Sequence, residues 1–168
     1  MTTTYHTPVF VYGTLMREHA LHVLTEKCLL PTLPVLPARK RGRLFWHPEG
    51  GGYPVLVNPG TYLLRYGAET LTIPDDEYVV GEWQAWADNS AADYIIGMEV
   101  KAGYCAEWTR ADVTIGTDEF RPDVPIREQR EVLTFPYVPD ERLSLADFQR
   151  VPGNSWHTTT RTRYLAPT

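Results

Sequence analysis

A lone glutamate in an otherwise apolar helical segment is the residue of this sequence best suited to acid–base chemistry. Glu99 lies in the stretch "YIIGMEV", where its neighbours are isoleucine, methionine and valine. Burial in such surroundings raises the pKa of a carboxyl group towards neutrality, where one group can accept and then return a proton. The alternative is a glutamate that faces water from the outer side of a helix.

Other carboxylates lie in segments with the pattern of β-strands. Glu82, in "VVGEW", is the second candidate, and its alternation with Trp83 is equally typical of a strand residue that points outward. Glu107 and Asp112 lie on a later predicted strand, and the same alternative applies to both.

The stretch "VFVYGTL" at residues 9–15 predicts a buried strand that ends at a glycine. A glycine at this point lets a ligand approach the backbone closely, and the end of the strand leaves N–H groups available to it. The alternative is an ordinary turn from a strand into a helix, which residues 17–30 are predicted to form.

The sequence lacks the motifs of several other kinds of functional site. The chain has no G-x-S-x-G motif, no phosphate-binding glycine loop and no zinc-type spacing of cysteine and histidine. Cys28 and Cys105 lie far apart, and we expect both to be free thiols. His19 and His22 share a predicted helix, and we expect them at its surface. We therefore expect neither a metal nor a cofactor.

The composition disfavours two classes of binding partner. The net charge of −5 argues against nucleic-acid binding, and no apolar run approaches the ~20 residues that cross a bilayer. The N-terminus lacks the pattern of a signal peptide, so we expect a cytoplasmic location. We interpret the basic cluster Arg39, Lys40, Arg41 and Arg43 as a solvated strand end rather than a nucleic-acid patch.

The elements that position these residues are predicted to be mostly strands. The 168 residues suit one domain, with about 160–168 as a C-terminal tail, and five Trp, ten Tyr and fourteen Pro favour strands and turns over helices. Strand patterns occur near residues 8–15, 38–49, 53–57, 61–74, 77–88, 107–115 and 130–138. A second helix is predicted after Asn89 or Ser90, ending at Gly103.

The order of these segments resembles a known family. "VFVYGTL", "GRLFWHPEGGGYPVLV", "VVGEWQAWAD", a helix with a glutamate and "EWTRADVTI" follow one another as in the gamma-glutamylcyclotransferase-like family. That family includes the AIG2-like proteins and gamma-glutamylamine cyclotransferase. The C-terminal stretch that ends in "VPGNSWHT" also resembles the family, so the likeness covers nearly the whole chain.

The resemblance implies a fold and a site. The fold would be α+β, a small mixed β-barrel with short helices packed on it and a cavity at the barrel mouth. Glu99 would be the general acid and base. The residues that would contact the substrate are Tyr12, Gly13, Thr14, Leu15, Tyr53 and Tyr137. For the last two tyrosines the alternative is core packing.

The resemblance also implies a reaction. The α-amine of a small-molecule γ-glutamyl amine, amide or peptide would attack its own γ-carbonyl, which releases 5-oxoproline and a free amine. Ile96 and Val100 stand where relatives usually carry Asp and Gly, so a binding or regulatory module without catalysis is the alternative. A third reading is an interaction protein that uses Trp83, Trp86 and Trp108, although alternation predicts at least one of them buried. The oligomeric state stays open.

Overall fold

A closed five-stranded barrel forms the centre of the protein. The computed structural model describes residues 6–13, 15–16, 35–46, 54–87, 90–115 and 127–156. The barrel strands are β1 (His6–Val11), β2 (Leu36–Arg41), β7 (Tyr78–Ala87), β8 (Glu107–Thr114) and β9 (Arg127–Thr134). Their order is β1-β7-β2-β8-β9, and a parallel contact between β9 and β1 closes the ring. The predicted α+β class with a small β-barrel is confirmed.

Two smaller sheets and one helix surround the barrel. Strands β3 (Arg43–Trp46), β4 (Pro54–Val57) and β10 (Gln149–Arg150) form one sheet, and β5 (Gly60–Leu64) pairs with β6 (Glu69–Ile73). Helix α1 spans Ser90–Lys101, and short 3₁₀ helices span Leu145–Asp147 and Pro152–Asn154. Within the described ranges, α1 is too short and too polar to span a membrane.

Helix α1 has the bounds that the sequence predicts. It begins at Ser90 and is followed by Gly103, whose φ of 99° is a conformation that glycine adopts without strain. Ala92 and Ile95 are buried and join the barrel core. The other predicted helix, at residues 17–30 with His19, His22 and Cys28, lies outside the described residues, as does the tail at 160–168.

The segment at residues 61–74, predicted as one strand, is a hairpin of two. Backbone φ values of 50°, 55° and 84° at Arg65, Tyr66 and Gly67 turn the chain between β5 and β6. Only the glycine of this turn adopts a positive φ without strain. The first two residues of the turn are not types that usually adopt a positive φ, so the sequence carries no recognisable turn motif here. The strand pattern therefore continues through the turn, and one strand is predicted instead of two.

The basic cluster lies on β2 and the first residue of β3; Arg41 is exposed, whereas the other three members are paired with polar side chains. Lys40 is only 4% exposed, and its Nζ donates to Asn58 Oδ1 at 2.6 Å. Arg39 forms an ion pair with Asp112 at 3.0 Å, and Arg43 Nε donates to Glu77 at 2.9 Å. The predicted solvated strand end is therefore wrong at Lys40, because β2 lies between β7 and β8 inside the barrel wall.

Candidate active site

A cavity of about 240 Å³ opens where the end of β1 meets helix α1. The turn after β1, the first residue of β4 and the residue after β9 complete its wall. The lining residues are Phe10, Val11, Tyr12, Gly13, Leu15, Pro54, Met98, Glu99, Ala102, Tyr104 and Phe135. Most of these side chains are apolar, so a polar group among them lies in a poorly hydrated environment.

The turn after β1 requires its glycine. A Cβ atom on Gly13 would lie 2.8 Å from Cγ of Pro54, closer than carbon atoms approach. Met16 N–H donates to Gly13 O at 3.0 Å, which ties the chain at Met16 back to Gly13. Glycine therefore lets β4 approach this turn, and the two segments share one wall of the cavity.

Tyr12 fixes the start of the turn. Its side chain is buried, and the hydroxyl donates to the carbonyl of Phe135 at 2.6 Å. Burial raises the pKa of Tyr12 well above its ordinary value, and the neighbouring Tyr104 and Glu99 add smaller contributions in the same direction. Tyr12 is therefore a neutral phenol whose proton is held by Phe135, and its oxygen can still accept a hydrogen bond.

Helix α1 presents Glu99 to the cavity. Ala92, Ile95, Glu99 and Ala102 follow at spacings of three and four residues, which places them on one side of the helix. The first two join the core, and the last two line the cavity. The same stripe that docks the helix therefore carries the glutamate inward.

The carboxylate of Glu99 is available for proton transfer. It makes no hydrogen bond or ion pair with the described residues, and its burial raises its pKa above the ordinary value. Desolvation destabilises the charged form, and no cation among these residues compensates. Glu99 is therefore a carboxyl group of tuned basicity inside an apolar cavity.

The other carboxylates occupy different surroundings. Glu82 is buried, with 6% of its surface exposed, so the alternative of an outward-facing strand residue does not apply to it. It does not line the cavity, and Gln84 Nε2 lies 3.5 Å from its Oε1. Glu107 accepts from Asn58 Nδ2 at 3.0 Å, and Asp112 is the partner of Arg39.

The predicted substrate contacts divide into three groups. Tyr12, Gly13 and Leu15 line the cavity with Glu99. Tyr137 is absent from the lining; its ring centroid lies 6.4 Å from that of Tyr104. Thr14 and Tyr53 lie outside the described residues.

Sequence reasoning missed seven lining residues: Phe10, Val11, Pro54, Met98, Ala102, Tyr104 and Phe135. Pro54, Tyr104 and Phe135 are brought in by tertiary contacts alone, for example by Tyr104 Oη donating to Pro54 O at 3.0 Å. Ala102 had a usable signal, because it lies three residues after Glu99, directly after the end of α1. Among the described ranges, no group of three or more His, Cys, Asp or Glu side chains is arranged to hold a metal ion.

Comparison with known proteins identifies the family. The family model for gamma-glutamyl cyclotransferase, AIG2-like, matches residues 9–158. The solution structure of At5g39720.1 from Arabidopsis thaliana is similar at a TM-score of 0.56 and 15% identity, covering 98% of this chain and 89% of that chain. The crystal structure of YkqA from Bacillus subtilis is similar at a TM-score of 0.54 and 16% identity, covering 97% of this chain but only 44% of that chain. A search of the curated proteins finds no match. Since the family model covers most of the sequence, the chain belongs to the gamma-glutamyl cyclotransferase, AIG2-like family.

Proposed function

We propose that this protein is a cyclotransferase that releases 5-oxoproline and a free amine from a small-molecule γ-glutamyl amine, amide or peptide. The observation that carries the proposal is Glu99, a carboxyl group that has no partner among the described residues and lies in an apolar cavity beside Gly13. The family match supports the same class of reaction.

The reaction is intramolecular, so positioning supplies much of the rate. The α-amine of the glutamyl group attacks its own γ-carbonyl, a ring C–N bond forms, and the original amide C–N bond breaks. In this scheme ionised Glu99 takes the proton that the attacking amine loses. It then returns that proton to the leaving nitrogen, and the carboxylate is regenerated.

The turn after β1 supplies the complementary contacts in this proposal. The N–H of Gly13 makes no hydrogen bond within the described part of the chain. It can therefore donate to the α-carboxylate or to the oxyanion that develops on the γ-carbonyl. Tyr12 Oη accepts from the substrate amine, and Leu15 contacts its methylene groups. Thr14 and Tyr53 complete the proposed set of contacts, while Tyr137 supports the ring of Tyr104.

The test is 5-oxoproline release, measured by mass spectrometry. The panel comprises γ-glutamyl dipeptides, ε-(γ-glutamyl)-lysine, glutathione and simple γ-glutamyl amines. We expect Glu99→Gln to lower kcat/KM at least about 100-fold, the usual scale of general acid–base catalysis. Glu131→Gln, on the exposed part of β9, is the matched control and keeps wild-type activity.

Two results would contradict the proposal. Equal release by the wild type and Glu99→Gln removes Glu99 from the mechanism. No release from any panel member, together with binding of the same compounds in calorimetry, identifies a binding or regulatory module instead. Ile96, which stands in place of the usual Asp near Glu99, would then be the first position to restore.

A further inference from the structure

A row of buried polar side chains lies on one face of β7. Glu82, Gln84 and Trp86 alternate along the strand, so they project to the same side of it. Their exposed fractions are 6%, 0% and 0%. A fully buried amide needs hydrogen-bond partners for both its oxygen and its nitrogen, which makes the contacts of Gln84 informative.

The chemistry of these contacts fixes the orientation of the Gln84 amide. Trp86 Nε1 lies 2.8 Å from Gln84 Oε1, and an indole nitrogen can only donate. The amide oxygen must therefore face Trp86, and the NH₂ group must face the other way. There Gln84 Nε2 donates to the carbonyl of Leu15 at 3.0 Å, with Glu82 Oε1 at 3.5 Å as its second neighbour.

The bond to Leu15 controls the turn that lines the cavity. The Leu15 carbonyl and the Met16 N–H belong to one planar peptide unit. Gln84 holds its carbonyl end, and Gly13 O accepts from its N–H end at 3.0 Å. Any rotation of this peptide unit breaks both bonds, so the buried amide on β7 and the turn after β1 are locked together.

We propose that Gln84 is a positioning residue that holds the Leu15–Met16 peptide unit against Gly13 in its substrate-receiving orientation; the link to substrate rests on the proposed function. Gln84 does not line the cavity and touches no reacting atom. Its loss therefore lowers the population of the competent turn, which weakens substrate binding. The proton transfer at Glu99 continues in the molecules that bind.

The experiment compares Gln84→Met with a matched control. Methionine keeps the length of the side chain but offers no donor to the Leu15 carbonyl. Tyr62→Phe likewise removes one hydrogen bond from a side chain to a backbone carbonyl, that of Asn58 at 2.8 Å, but Tyr62 does not line the cavity. The readouts are amide hydrogen exchange at Met16 and the separate values of KM and kcat for 5-oxoproline release.

We expect Gln84→Met to speed exchange at Met16 and to raise KM, each about five- to tenfold, while kcat stays within about twofold. Tyr62→Phe changes none of these three quantities. Trp86→Phe, which keeps Gln84 but frees the orientation of its amide, shows a smaller effect in the same direction. This second variant decides the matter if Gln84→Met does not fold.

Unchanged exchange at Met16 in Gln84→Met, or an equal increase in Tyr62→Phe, overturns the positioning role. A fall in kcat at constant KM overturns it as well, because a positioning residue acts here through binding. A wild-type protein that releases no 5-oxoproline refutes the proposed function instead. The exchange data then still decide whether Gln84 holds the turn.

Discussion

Glu99 couples the candidate chemistry to the stability of the fold. Its pKa is raised by burial, so the folded protein keeps this proton to higher pH than the unfolded chain does, where the carboxyl titrates near 4.5. As pH rises from that value through the folded pKa, the unfolded state binds fewer protons, and the free energy of unfolding falls. The partly buried charge therefore destabilises the folded protein at neutral pH but not below pH 4.5.

We expect Glu99→Gln to remove this dependence. The free energy of unfolding of the variant, relative to that of the wild type, is higher at about pH 7.5 than at about pH 4, because glutamine has no charge to desolvate. Urea unfolding at the two pH values measures the change. Glu131→Gln, at an exposed position of β9, is the control. A flat difference for Glu99→Gln would show that the carboxylate is well solvated.

The same pKa predicts the pH dependence of the reaction. The attacking amine loses its proton to ionised Glu99, so activity falls as Glu99 becomes protonated at low pH. Since burial raises the pKa of Glu99, we expect the acidic limb of kcat/KM above pH 4.5. Rates of 5-oxoproline release from about pH 4 to pH 9 locate it. A limb below pH 4.5 contradicts the assignment of Glu99 as the base.

At the scale of elements, β7 packs so closely against β1 that one glycine is obligatory. A Cβ atom on Gly81 would lie 2.2 Å from the Val11 carbonyl oxygen and 2.9 Å from the ring of Phe10. We expect Gly81→Ala to lower the free energy of unfolding by about 3 kcal/mol or more, because the backbone of β1 must move. Chemical denaturation measures this loss.

Helix α1 supplies the opposite case. Gly97 is exposed in the middle of the helix, and a Cβ there would meet nothing within 4 Å. We expect Gly97→Ala to raise the free energy of unfolding by about 0.5–1 kcal/mol, since alanine loses less backbone entropy in a helix. Loss of stability in Gly97→Ala would indicate a contact that the described residues do not include.

Local sequence patterns predicted the elements that carry the site, whereas burial on those elements is determined by the closure of the barrel. The stripe that presents Glu99 is visible in the sequence, because helical periodicity depends only on residues within one element. Burial of Glu82 was not predictable in this way. Alternation assumes that one face of a strand meets water, whereas every residue of β7 from Gly81 to Trp86 is buried, so both of its faces are covered.

The cavity itself is a property of the whole molecule. It joins residues near positions 12, 54, 99 and 135, which meet only because the barrel closes between its first and last strands. No spacing in the sequence encodes such a meeting, so Pro54, Tyr104 and Phe135 were missed. The fold was predicted from the resemblance to a family, because the order of motifs along the chain follows the order of elements in the fold.

The contact that closes the barrel is the place where site and fold depend on each other most. All of β1 pairs with β7, whereas its parallel contact with β9 is recorded at Val9 and Leu133. Two buried hydrogen bonds reinforce this contact: Tyr12 Oη to Phe135 O at 2.6 Å, and Thr134 Oγ1 to Phe10 O at 3.2 Å. Both cross between the same two chain segments, so each bond helps to hold the other in register.

We expect Tyr12→Phe and Thr134→Val each to lower the free energy of unfolding by about 1–2 kcal/mol, because each removes a buried hydrogen bond. The double variant loses an amount that differs from the sum by at least about 0.5 kcal/mol, since neighbouring bonds share one contact. Urea denaturation of the four proteins completes the cycle, and exposed Tyr94→Phe is the control. Additive losses would mean that the two hydrogen bonds stabilise the contact between β1 and β9 independently of each other.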